Sequence, residues 1–164
     1  MTSKADFSES EWTRLKRAPF VAGMAISLAD PGGPIEAFKE TSATLKTVLR
    51  AAEAGNPGEL VHDVARDVAE EARQRKSPLA GFQPKGATAG VEILDELREV
   101  NRVVSEKASP DEAAAFREWL LDVARDAANA AKEGGFLGFR AERVSDGEQR
   151  MLDELATALS PSVS

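Results

Sequence analysis

Three tetrapeptides of the form Ser-x-x-Glu, at Ser8 to Glu11, Ser109 to Glu112 and Ser145 to Glu148, constrain this chain more than any other feature. In such a box the serine hydroxyl and the glutamate carboxylate each accept a backbone N–H that the first helical turn leaves without a partner, so each box marks a helix start. Phe7 and Trp12 flank the first box in the positions of a hydrophobic staple. Pro110 follows Ser109 at the first helical position, where its missing N–H costs nothing. Pro19 is expected to break or kink the first helical stretch into segments near 9–17 and 19–29, closed by Asp30-Pro31-Gly32-Gly33. Pro34 opens a helix that Gly55 ends, and Asn56-Pro57 starts another that runs to about Gln74. A loop from Ser77 to Thr88 precedes a helix over 89–106, and the last two helices span roughly 110–132 and 146–159.

No stretch shows the period-two alternation rich in Val, Ile, Thr and aromatics that a strand needs, so the expected class is all-α. A chain of 164 residues buries roughly 70% of its unfolded surface, enough for one core without a disulfide or structural metal, and residues 1–164 read as a single domain. The composition holds no Cys and one His, His62, which excludes thiol catalysis and cysteine-based zinc or iron–sulfur sites.

Internal repetition organises the helices. Residues 59–72 and 118–131 agree at eight of fourteen positions, including an unbroken Asp-Val-Ala-Arg-Asp block at 63–67 and 122–126. Each copy leads through a Gly-Phe linker (Gly81-Phe82, Gly138-Phe139) to a Leu-Asp-Glu-Leu helix at 94–97 and 152–155, and a weaker copy lies at 19–54. The expected architecture is therefore a compact helical bundle of three pseudo-repeated helix-loop-helix hairpins, about 19–54, 57–106 and 109–159, packed face to face. Core candidates are Trp12, Leu15, Phe20, Ile26, Leu45, Leu49, Val61, Val64, Val68, Ile93, Leu97, Trp119, Leu120, Val123, Leu152 and Leu155.

Charge sets further bounds. With 21 Lys+Arg against 28 Asp+Glu, the net charge of −7 repels phosphate backbones, and no basic cluster exceeds Arg14, Lys16 and Arg17, so no nucleic-acid partner is expected. The apolar run from Pro19 to Ala29 is too short to span a bilayer, and the N-terminus lacks the basic and apolar regions of a signal peptide. The expectation is a cytoplasmic protein with no membrane partner.

Four constellations carry candidate chemistry. Glu59, Asp63 and Asp67, copied as Glu118, Asp122 and Asp126, form stripes at i, i+4, i+8 opposite Val61, Val64 and Val68, which reads as a solvated outer face with Arg66 and Arg125 beside it. Glu59-x-x-His62 has the spacing of bundle-core di-iron sites, but the second copy carries Leu121 in place of the imidazole, and His62 reads instead as a boundary residue with a satisfied ring. Gly134-Gly135-Phe136-Leu137-Gly138-Phe139 is either a plug for the bundle end or an exposed apolar patch in which Phe136, Leu137 and Phe139 contact a protein partner. Acids at the bends, Asp30 and Glu36, then Asp146 and Glu148, suit a hard divalent cation, although the spacing is not that of the twelve-residue Ca²⁺ loop and Asp146 and Glu148 also serve the first turn of a helix.

Ala29-Asp30-Pro31-Gly32, the acidic helix start after it, and Val144-Ser145-Asp146-Gly147-Glu148 leading into Met151-Leu152-Asp153-Glu154-Leu155 together resemble the TerB-like tellurite-resistance superfamily over two of the three hairpins. The resemblance implies an all-helical, internally duplicated module associated with tellurite and stress resistance, one that binds divalent metal or partner proteins and catalyses nothing. It places the family's helix-terminal Asp and helix-start Glu at Asp30 and Glu36, and the late helix-start Glu at Glu148. Lys132-Glu133-Gly134-Gly135 departs from the family's Ala-Asp-Gly, and the middle hairpin is additional. The function expected is thus a non-enzymatic helical module with a divalent cation at its bends and no other cofactor. The alternative is an interaction or oligomerisation module acting through the Gly-Phe loops. An enzyme needs a His, Cys or carboxylate pair held in a cleft, and no such pair is evident.

Overall fold

The computed structural model describes residues 1–29, 34–56, 59–132 and 144–161, with backbone alone over 34–40 and 131–132. Six α-helices lie within these residues: α1 (Glu9–Ala29), α2 (Pro34–Ala54), α3 (Leu60–Arg73), α4 (Ala89–Lys107), α5 (Pro110–Lys132) and α6 (Asp146–Ala158). Short 3₁₀ turns at Lys4–Asp6 and Gly86–Thr88 accompany them, and no strand occurs among the described residues. The all-α class and the compact bundle follow the sequence reading.

All three serine boxes form. The glutamate carboxylates of Glu11, Glu112 and Glu148 accept from the N–H of Ser8 (2.7 Å), Ser109 (3.3 Å) and Ser145 (2.9 Å), and each serine hydroxyl accepts in return from its glutamate's N–H. The Phe7 and Trp12 rings meet at 5.6 Å, completing the staple before α1.

α1 is the hub. It packs against each of the other five helices, and it is buried nearly all round from Ala18 to Ile26, as an apolar helix without a polar stripe must be. That burial explains the first departure from expectation: α1 runs unbroken through Pro19. An interior proline costs about 3 kcal/mol in a lone helix, but Leu15, Ala18, Phe20, Val21 and Ala22 on both sides of it are buried, and their packing keeps the helix continuous.

The second departure concerns pairing. α2 packs on both α3 and α5, and α4 packs on α1, whereas α3 and α4 barely touch. The segment 57–106 is therefore not a closed hairpin; its two helices are held apart by the hub and joined by a loop passing over it. The matched positions of α3 and α5 nonetheless share their burial, with Val64 and Val123 both fully buried and Glu59 and Glu118 both exposed. Of the core candidates, Leu49 is the exception at 39% exposed, because Val48 takes the inward position beside it. Leu45, Val61 and Leu152 are half-buried against the core.

Polar pairs tie the helices to the hub. Glu96 on α4 is buried and accepts from Arg14 Nε (3.0 Å) and from Arg17 Nε and Nη2 (2.9 and 2.6 Å). Asp67 on α3 accepts from the Trp12 indole N–H (2.9 Å) and the Lys4 ammonium (2.7 Å), and Lys16 pairs with Glu71. Asn101 donates to the Ala158 and Ser160 carbonyls at the end of α6 and accepts from Arg117 on α5, fixing three helices through one amide.

Candidate cation site where α1 meets α6

The last turn of α1 and the first turn of α6 are far apart in sequence and adjacent in space. A β-carbon placed on Gly147 would lie 2.8 Å from the carbonyl oxygen of Ala29, so only glycine admits the approach. The carbonyl-rich C-terminus of α1 thus meets the N–H-rich N-terminus of α6, an arrangement that sets opposite helix-dipole ends against each other. Asp30 follows Ala29 directly in the chain, and Asp146 and Glu148 flank Gly147.

The late acids take different roles. Ser145 caps α6, its hydroxyl accepting from the Glu148 N–H at 3.2 Å, while a Glu148 carboxylate oxygen accepts from the Ser145 N–H at 2.9 Å. Glu148 is 4% exposed, unusually deep for a capping carboxylate, because the end of α1 lies over this turn. Asp146 is the first residue of α6 and faces solvent.

Asp30 and the side chain of Glu36 lie outside the described residues, as do Phe136, Leu137 and Phe139. Among the described residues, no group of three or more His, Asp or Glu side chains is arranged to hold a metal ion. Asp146 and Glu148 alone do not make a site; the described structure supplies one buried and one exposed carboxylate beside the end of α1.

The other sequence candidates resolve into structural roles. Glu59 accepts from the Asn56 N–H (3.2 Å) and side-chain amide (2.8 Å), holding the turn before α3 from outside the core. His62 is buried rather than at a satisfied boundary. Its ring nitrogen Nδ1 and the indole nitrogen of Trp119 have no hydrogen-bond partner among the described residues, and the ring packs on Gly55. The acidic stripes are split: Glu118 and Asp122 share Arg125 at the surface, while Asp67 and Asp126 turn inward, the latter accepting from the Thr47 hydroxyl at 2.6 Å. The inward acids were missed because a wheel averages each stripe into one direction, whereas Asp67 leans toward Trp12 on the neighbouring helix.

No family model, curated protein or solved structure matches this chain. No helix among the described residues is long and apolar enough to cross a membrane.

Proposed function

We propose that this chain is a non-enzymatic, cytoplasmic helical module of the TerB-like kind, serving tellurite or stress resistance by binding a divalent cation where α1 ends and α6 begins. The observation that supports this reading is the contact of Gly147 with the Ala29 carbonyl. It sets the end of α1, after which Asp30 follows in the chain, beside the turn carrying Asp146 and Glu148. Carboxylates and helix-end carbonyls are the oxygen donors a hard cation takes. Glu36, which opens the helix after Asp30 in sequence, is the fourth donor in this reading.

Calorimetric titration with Ca²⁺, Mg²⁺ and Zn²⁺ tests it. The wild type is expected to release or absorb heat saturably with one of these ions and to melt at a higher temperature in its presence. Asp30→Ala and Glu148→Gln, the second retaining an acceptor for the cap, are expected to remove both effects. No heat and no melting shift with any of the three ions ends the proposal.

A further inference from the structure

A second locality carries a different chemistry. Two hollows of 140 and 190 Å³ share Phe20, Thr41 and Pro78 and so run together as one groove between α1, α2 and α3. Along α1 it is lined by Lys16, Phe20, Gly23, Met24 and Ser27, which recur at i, i+4, i+7, i+8 and i+11 and so form a single helix face. That face is roughly 16 Å long at 1.5 Å per residue. Gly23 shapes its floor: a β-carbon there would lie 2.5 Å from the Thr44 hydroxyl, so α2 closes on α1 at this point. Leu45, Val68 and Leu79 complete apolar walls.

The groove is electrically polar along its length. At one end stand Lys16, Glu71 and Lys76; Lys16 pairs with Glu71, and Lys76 joins no ion pair among the described residues. At the other end the described lining holds no charged side chain, with Met24 and Ser27 there. In a chain of net charge −7, an unneutralised ammonium at the mouth of an apolar slot selects an anion that also carries hydrocarbon. The roof is the segment from Ser77 to Phe82, from which Pro78 overhangs both hollows. It is pinned through the Phe82 ring, 5.3 Å from the Arg17 guanidinium, and turns on left-handed Ala80 and Gly81.

We propose that this groove binds one free medium-chain fatty acid, its hydrocarbon lying along Phe20, Met24 and Leu45 and its carboxylate on the Lys76 ammonium. One narrow slot takes one chain, a ten-carbon chain fits within a face of this length, and one ammonium matches one carboxylate. This binding is independent of the cation reading.

Titration of the full chain with decanoate below its micelle concentration tests the proposal. Saturable binding of one decanoate per chain is expected, with acetate inert. Lys76→Gln, a surface substitution, is expected to weaken decanoate about tenfold, the loss of one charge-assisted contact, and to leave the uncharged decanol unchanged. Ala72→Phe, which fills the groove from the exposed side of α3, is expected to abolish binding of both while the melting temperature stays near that of the wild type. Failure of decanoate to saturate, equal decanoate affinity in Lys76→Gln, or uptake by phosphatidylcholine vesicles in place of free decanoate would each overturn it.

Discussion

The carbonyl oxygen of Ala29 and the α-carbon of Gly147 approach so closely that a methyl group on Gly147 would sit 2.8 Å from that oxygen. The neighbour is backbone, which cannot swing aside as a side chain does. Gly147→Ala is therefore expected to push the start of α6 away from the end of α1 and to destabilise the fold by about 1–3 kcal/mol, the usual cost of overpacking. Urea denaturation at neutral pH measures the loss, and Gly90→Ala is the control, since a β-carbon there meets only Leu28 at an ordinary 3.6 Å.

Asp67 holds two partners that differ in exposure, the indole N–H of the buried Trp12 and the exposed ammonium of Lys4. Losing the first leaves a buried donor unmet, which costs about 1–3 kcal/mol; losing the second costs about 0–1 kcal/mol. Asp67→Ala should then destabilise far more than Lys4→Ala, as urea midpoints at neutral pH measure. Equal effects of the two substitutions would mean that the indole contact contributes nothing.

Helix starts were legible because a capping box is a local contract: Ser145 and Glu148 satisfy each other's backbone within four residues, whatever surrounds them. Pro19 was misread for the converse reason. Its local cost is real, but burial of Leu15, Ala18, Val21 and Ala22 around it is a tertiary gain that no window of sequence displays. The inward turn of Asp67 and Asp126 likewise depends on Trp12 and Thr47, which belong to other helices. The separation of α3 from α4 follows from the hub helix occupying the space between their partners, a property of the assembly rather than of residues 57–106. At the candidate site, the sequence identified Glu148 and Asp146 as acids at a bend, but it gave no sign that Gly147 would set them against the end of α1.

Glu96 is 9% exposed and its Oε1 accepts from both Arg14 and Arg17 at the α1–α4 seam, where Glu99 also accepts from Arg14 Nη1 (3.3 Å). Removing one partner of a buried pair is much costlier than never having had it, because the remaining charge stays desolvated. Since the arginine side chains keep 29% and 16% of their exposure, the expected loss for Glu96→Gln is about 2 kcal/mol, below the fully buried range. For a chain of this size that is a fall of roughly 4–8 °C in melting temperature. Arg14→Ala should cost less than Arg17→Ala, because Arg14 is more exposed and makes one bond to Glu96 and a longer one to Glu99, whereas Arg17 makes two to Glu96 and also packs on the Phe82 ring.

Acid should loosen the N-terminal tether. Burial pushes the Glu112 carboxyl up, but hydrogen bonds from the Thr2 hydroxyl, Ser109 hydroxyl and both backbone N–H groups outweigh it and hold the group at about 2 against an ordinary 4.5. Glu11 is likewise lowered to about 2, chiefly by the Lys107 ammonium and then by the Ser8 N–H. A carboxyl whose folded value lies below its unfolded one contributes stability that is complete above the unfolded value and disappears as pH falls through the folded value. Stability should thus be level above the unfolded 4.5 and decline progressively toward pH of about 2. Glu112→Gln should be less stable than wild type at pH 7, and the gap between the two should narrow over that same interval as protonation costs the wild type the interaction the variant already lacks. Urea midpoints measured across the interval check this, and two curves that stay parallel down to its acid end would show that the Thr2 and Ser109 contacts do not hold Glu112 in its charged form.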